Sequence, residues 1–300
     1  MKRLFSLVVL ISMSVWGQQE PQYTQYMFNP TVINPAYAGS TGYGSLFSMY
    51  RAQWIGLEGA PRTINLAYHQ PIENSHLGIG ANLLRDEIGP TSTTFAAVDI
   101  SYTIALANES RLAFGVKAGG ELFNIDNQKL KSFNPADPFL QQNLQNQFSP
   151  NIGVGLYYYN DKSYLGLSVP RLLETRFYDA LAYSETKRKQ HFYLVGGKVF
   201  DLSYNLKFKP AFVTKVVAGA PLQVDLTTNF LYNERFTVGL AYRWSAALSA
   251  LVGFKVNDRL SIGYGYDRET TRLSNFNSGS HELFLQFDLL RNGANYTKVN

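Results

Sequence analysis

Residues 96–103 read Ala96-Ala97-Val98-Asp99-Ile100-Ser101-Tyr102-Thr103. Side chains of an extended chain alternate between two faces, so Ala96, Val98, Ile100 and Tyr102 share one side and Ala97, Asp99, Ser101 and Thr103 the other. One face is apolar and the other small or polar. The same period recurs outward from this stretch in both directions. Leu77, Ile79 and Ala81 oppose Gly78, Gly80 and Asn82; Leu112, Phe114 and Val116 oppose Ala113, Gly115, Lys117 and Gly119. Ile152, Val154, Leu156 and Tyr158 oppose Gly153 and Gly155. Leu260, Ile262, Tyr264 and Tyr266 oppose Ser261, Gly263, Gly265 and Asp267, and Leu283, Leu285, Phe287 and Leu289 close the series. Helical periodicity is almost absent.

Extended over the chain, the pattern predicts about fourteen strands: 44–54, 62–70, 76–85, 92–104, 111–124, 150–159, 163–170, 190–200, 204–216, 221–232, 235–243, 246–256, 259–267 and 280–290. Most are long enough to cross a bilayer when tilted. Their connections differ by side. Asn160-Asp161-Lys162, Asp201-Leu202-Ser203, Asn233-Glu234 and Asn257-Asp258 read as tight hairpin turns, whereas 55–61, 125–149, 171–189 and 268–279 read as long loops. Short turns on one side and long loops on the other mark a transmembrane antiparallel β-barrel, with the long loops outside the cell if the N-terminus is periplasmic. The short links near Gly219-Ala220 and Trp244-Ser245 interrupt this rule.

Charge placement separates a barrel from a soluble β-sandwich. Lys117, Lys207, Lys209, Lys215, Arg243 and Lys255 share the small-residue face with Asp99, Glu121, Asp225, Asp267, Glu282 and Asp288. The opposite face lacks charge, as lipid requires, since Lys or Arg there costs about 2–4 kcal/mol at mid-bilayer. The balance of signs suits an interior crossed by salt bridges or filled by a plug rather than an ion-selective pore. In 44–54 and 190–200 the parity is ambiguous, because Phe47 and Met49 share a face with Arg51.

Composition agrees. The 300 residues are 45% hydrophobic and only 16% charged, below the roughly 25% of soluble domains. A net charge of +5 is too diffuse for a nucleic-acid binder. Cys is absent, which excludes disulfides, thiolate metal sites, a Cys nucleophile and a lipoprotein anchor. The 20 Tyr and 20 Phe are the excess that needs placing. The chain starts Met1-Lys2-Arg3, then an apolar run from Leu4 to Val15, then Val15-Trp16-Gly17. That is a secretory signal peptide over 1–17, too short to span a membrane as a helix.

No catalytic constellation appears. His69, His76, His191 and His281 form no metal-ligand spacing and no Ser-His elbow, although His69 and His76 flank one turn. Gly78-x-Gly80, Gly153-x-Gly155 and Gly263-x-Gly265 follow strand parity and are small lumen-facing residues rather than phosphate loops. No cofactor and no metal is expected. Lys187-Arg188-Lys189 is a basic triplet suited to an acidic partner or lipid phosphate, although a solvated loop edge is the better explanation of so short a charge run. The informative segment precedes the first strand: Gln22-Tyr23-Thr24-Gln25-Tyr26-Met27-Phe28-Asn29-Pro30, then Ile33-Asn34-Pro35-Ala36-Tyr37-Ala38-Gly39. Its two Asn-Pro pairs favour turns, and it is too aromatic for a plain linker. It is expected to plug the lumen or cover the periplasmic mouth.

That same segment, from Pro21 to Gly39, resembles the start of the PorP/SprF family, outer-membrane proteins of the type IX secretion system of Bacteroidota. Tyr50-Arg51-Ala52-Gln53-Trp54, Gly59-Ala60-Pro61-Arg62-Thr63, Gly78-Ile79-Gly80-Ala81 and Asp86-Glu87-Ile88-Gly89-Pro90 extend the likeness. The tail beyond Leu290 departs from a barrel that stops on its terminal aromatic. The resemblance implies a barrel without enzymatic activity that works with type IX secretion and, in gliding bacteria, with surface adhesins. Some members serve export or surface attachment of an adhesin bearing a type B C-terminal domain. Others associate with a periplasmic peptidoglycan-binding lipoprotein.

The expected organisation is a signal peptide (1–17), an N-terminal Tyr/Asn-Pro segment (18–43), an outer-membrane barrel (44–290) and a tail (291–300). Tyr23, Gln25, Tyr26, Asn29, Pro30, Asn34, Pro35 and Gly39 are the candidate plug or partner contacts, with Lys187, Arg188 and Lys189 on an extracellular loop. The expected function is support of type IX secretion or anchoring of a secreted adhesin. The alternative is a passive channel for hydrophobic or small polar solutes, in which the N-terminal segment acts as a hatch.

Overall fold

Fourteen staves close into an antiparallel barrel in the computed structural model, which describes residues 22–24, 26–129, 143–173, 176–178, 185–187 and 189–289. The expected signal peptide and the tail lie outside the described residues. The staves are β1 (Gly44–Ala52), β2 (Arg62–Pro71), β3 (Leu77–Ile88), β4 (Thr91–Ala105), β5 (Arg111–Ile125), β6 (Leu144–Tyr159) and β7 (Ser163–Val169). β8 (Arg176–Tyr178) and β9 (Glu185–Lys187) form a separate two-stranded ribbon. The wall resumes with β10 (His191–Lys198) and its continuation β11 (Phe200–Ser203). It ends with β12 (Leu206–Val217), β13 (Gln223–Tyr232), β14 (Phe236–Arg243), β15 (Ala247–Lys255), β16 (Leu260–Glu269) and β17 (Ser280–Leu289). Closure is by β1 on β17, from Gly44 opposite Leu289 to Ala52 opposite His281. Closing the wall on itself removes the unpaired sheet edges that lipid could not satisfy, which is what permits strands in a bilayer.

Alternation holds with the polarity expected. Val98, Ile100, Tyr102, Phe114, Tyr158, Phe236, Tyr242 and Tyr264 point outward and are exposed, as lipid-facing side chains must be. Phe200, Phe208 and Phe230 run as neighbours along this outer face, with ring centroids 6.2 and 5.1 Å apart. Outward charges such as Arg62, Arg85, Glu87 and Arg268 sit near strand ends, clear of the bilayer centre. Leu240, near the middle of β14, is 57% exposed. Leu240→Arg is expected to cost about 2–4 kcal/mol, read as a lower denaturant midpoint for unfolding from lipid vesicles.

Three boundaries differ from the sequence reading. β6 begins at Leu144 rather than near 150, because residues 144–149 continue the pairing with β5, across a register shift near Phe123. The long loop there is correspondingly shorter, 126–143. The turn expected at 201–203 falls at Tyr204-Asn205, since β11 stays extended, across a register shift, to Ser203. The loop 171–189 carries the β8–β9 ribbon, so Lys187 ends a short strand. Asn233 and Glu234 turn as expected, both with positive φ (51° and 54°), the geometry of a type I′ hairpin.

The ambiguous parity of β1 and β10 is settled by what fills the barrel. Phe47, Met49 and Arg51 all point inward, as do His191, Tyr193 and Val195. The apolar side chains among them face not water but the N-terminal segment.

Candidate functional site

Residues 22–24 and 26–43 lie in the interior. Both Asn-Pro pairs start a single 3-10 turn, Pro30–Val32 and Pro35–Tyr37, since a proline that lacks an N–H suits the first helical position. Asn34 caps the second turn by accepting from the Ala36 N–H at 3.0 Å, while its Nδ2 donates to the Leu156 carbonyl at 2.9 Å. One side chain therefore folds the segment and ties it to the wall.

The segment enters from the short-turn end. Gly39 takes φ +76°, open to glycine, and its N–H points to His69 Nδ1 at 3.4 Å. The Tyr37 ring meets His69 and Tyr157 edge-on, with centroids 5.3 and 5.4 Å away. His76 instead lies beside the Tyr102 ring, so the two histidines flanking that turn do not meet. At the rim, burial and then the charge of Asp288 push the Tyr43 phenol above its ordinary value, so it stays a neutral O–H.

Higher in the lumen, Ser101 Oγ donates to the Ala38 carbonyl (2.6 Å), Ser168 Oγ to that of Ile33 (2.7 Å) and Lys117 Nζ to that of Thr31 (3.0 Å). Lys117 is itself paired with Asp99 at 3.3 Å. Asn29 Nδ2 donates to Asn65 Oδ1 at 2.7 Å, and Asn29 Oδ1 accepts from the Thr31 hydroxyl at 2.5 Å. Phe28 stacks on Phe284, and Tyr26 lies 5.3 Å from Tyr23 and 6.5 Å from Tyr193.

The uppermost contacts are ionic. Arg51 Nη2 donates to Asp267 at 2.5 Å and Nη1 to Glu282 at 3.0 Å. Thr24 is built into this cluster: its N–H donates to Glu282 (3.0 Å), its hydroxyl donates to Asp267 (2.7 Å) and accepts from Arg51 (2.7 Å). Arg243 pairs with Asp225 at 3.0 Å and donates to the Tyr23 carbonyl at 2.8 Å. Above, Arg171 at the start of the 170–190 connection folds inward onto Glu121 (2.5 Å) and over the Phe95 ring (4.4 Å). A void of about 30 Å³ lined by Tyr23, Ile33, Asn82, Phe95, Arg171 and Tyr193 is large enough to hold water.

Of the candidate residues, Tyr23, Tyr26, Asn29, Pro30, Asn34, Pro35 and Gly39 are thus brought together inside the barrel. Gln25 lies outside the described residues, as does Arg188. Lys189 donates to the Ala218 carbonyl at 2.8 Å, in the link that follows β12. The wall partners Arg51, Asn65, Ser101 and Ser168 were not singled out by sequence reasoning. Their signal was inward parity, shared with the glycines. A Cβ at Gly78 would fall on the Ala38 carbonyl oxygen, and one at Gly115 on the Ala36 nitrogen. Gly115→Val is therefore expected to dislodge the lower half of the segment, at about 1–3 kcal/mol of overpacking. Limited proteolysis in detergent checks this: new cleavage within 22–43 is expected, and unchanged protection refutes it.

Fold and interior together define an outer-membrane β-barrel with its own N-terminal segment lying in the lumen. The chain belongs to the family of type IX secretion system membrane proteins PorP/SprF, whose family model matches residues 15–287. Membership places it among the components of that secretion system. No relative of curated function matches the chain. Similar solved structures include a Pseudomonas aeruginosa FadL homologue (13% identity, TM-score 0.49, covering 91% of this chain and 96% of that one). A CymD monoaromatic hydrocarbon channel (12%, 0.48, 93% and 96%) and a KdgM porin (10%, 0.37, 82% and 99%) are more of the same kind. At these distances the likenesses say nothing about what this barrel carries.

Proposed function

We propose that the protein is a non-enzymatic, sealed platform of the type IX secretion system, supporting export or holding a secreted adhesin at the cell surface. The observation that carries this reading is the filled lumen. Thr24, Asn29, Thr31, Asn34 and Ala38 are each hydrogen-bonded to the wall, and voids of about 30 and 10 Å³ lie beside them. A barrel whose lumen is crossed by a segment bonded to the wall at these points is suited less to passing solute than to working through its two ends. The partner outside is an adhesin with a type B C-terminal domain, as in gliding bacteria, met by the connections 126–143 and 170–190. The partner below is a periplasmic peptidoglycan-binding lipoprotein, met by the short turns. The cleaved signal peptide over 1–17 delivers the chain to the periplasm for insertion.

Shortening both long connections while keeping the strands is expected to abolish surface retention of the cognate adhesin. Flow cytometry of intact cells measures retention, and a heat-modifiable band confirms that the barrel still folds. Full retention with a folded, shortened barrel refutes the external partner face.

A further inference from the structure

The direction in which the lumen segment runs has a consequence for which compartment meets which part of it. Its rungs on the wall rise in order. Gly39 lies against Gly78 and Pro71, beside the short turn 72–76. Thr31 bonds Lys117, near mid-height of β5. Thr24 bonds Arg51, next to the last residue of β1, and Glu282, third in β17. Tyr23 bonds Arg243, the last residue of β14, and Gln22 bonds Gln223, the first of β13, at 3.2 Å. These last positions all belong to the end of the barrel that carries the long loops. Short turns face the periplasm and long loops the exterior in bacterial barrels.

We infer that the segment stands in the lumen with its N-terminal end toward the cell exterior, so that Gln22 faces the exterior and the 38–43 turn lies at the periplasmic end. A periplasmic partner therefore meets the segment at Gly42, the exposed residue of that turn, and an exterior partner at the half-buried Gln22. The inference stands on the wall contacts and does not require the proposed role in secretion.

The absence of Cys makes the test clean. Single-cysteine chains carry Gln22→Cys, Asn275→Cys in an exposed long-loop position, or Asp161→Cys in an exposed short turn. Intact cells are treated with a membrane-impermeant maleimide, and a parallel sample is treated after the outer membrane is opened. A second chain carries an epitope with a Gly/Ser spacer inserted directly before Gln22, read by antibody on the same two samples, in case the thiol of the Gln22→Cys chain is too enclosed to react. Labelling of the Gln22→Cys chain or of the epitope on intact cells, at a level comparable to the Asn275→Cys control, is expected. Labelling only after opening, like the Asp161→Cys control, overturns the inference. So does no labelling at either probe while both controls react.

Discussion

Removal of residues 22–38 is expected to convert a silent barrel into a conducting one. A barrel of about eight strands is filled by its own wall side chains, while sixteen or more leave a water channel. Fourteen staves lie nearer the second case, so the lumen must be filled by something other than the wall. The wall is also built too small to refill itself: Gly78, Gly115, Gly155, Ser101 and Ser168 line the path of the segment, and each touches it. Planar-bilayer recording checks the result. The intact protein gives no steady steps, and the truncated protein gives stepwise conductance. Selectivity between cations and anions is expected to be weak, because the uncovered walls carry Arg51, Lys117 and Arg243 beside Asp99, Asp225, Asp267 and Glu282. A truncated barrel that runs as a folded band yet stays silent refutes this, and would place the seal at Arg171 and its connection. Steady conductance from the intact protein would instead favour the passive-channel reading.

The staves were legible because two solvents read the same strand. Lipid outside demands Val98, Ile100 and Phe114, while the tight interior demands Gly115, Lys117 and Ser101, so period two is strict where both apply. Legibility failed where only one applies. Residues 145–147 are exposed on both sides, and the polar run Gln145-Asn146-Gln147 reads as loop although it continues the strand that pairs with β5. Inside, Phe47, Met49 and Tyr193 broke the pattern because they meet Phe28, Tyr26 and their neighbours instead of water. The aromatic excess therefore has two destinations, a lipid-facing set on the wall and an inner set around the lumen segment. The segment itself was visible as an aromatic stretch with two Asn-Pro turns. Its wall partners were not, because parity gives the side on which a residue points but not its height in the barrel. Arg51 was invisible as an anchor for that reason: nothing in β1 alone says that Thr24 arrives at its level.

Arg51→Met is expected to be among the most damaging single changes in the wall. Arg51, Asp267 and Glu282 are each 1% exposed, and the guanidinium serves both carboxylates and the Thr24 hydroxyl. Removing one partner of a buried charge cluster costs about 3–5 kcal/mol, since the remaining charges stay buried without compensation. Met fills much the same volume, so the loss is ionic rather than a cavity. The change should lower the denaturant midpoint of the folded band and also free Thr24, admitting brief conductance steps that the intact protein lacks. The sharper test removes the two carboxylate charges as well. With Asp267→Asn and Glu282→Gln added to Arg51→Met, no charge in the cluster is left unpaired, and most of the lost stability should return. The anchorage of Thr24 should return only in part, because neutral amides accept weaker hydrogen bonds than carboxylates do. Stability and closure are thus expected to separate in the triple variant. Equal recovery of both would mean that the cluster holds the wall alone, and a stable, silent Arg51→Met protein would mean that Thr24 is held from elsewhere.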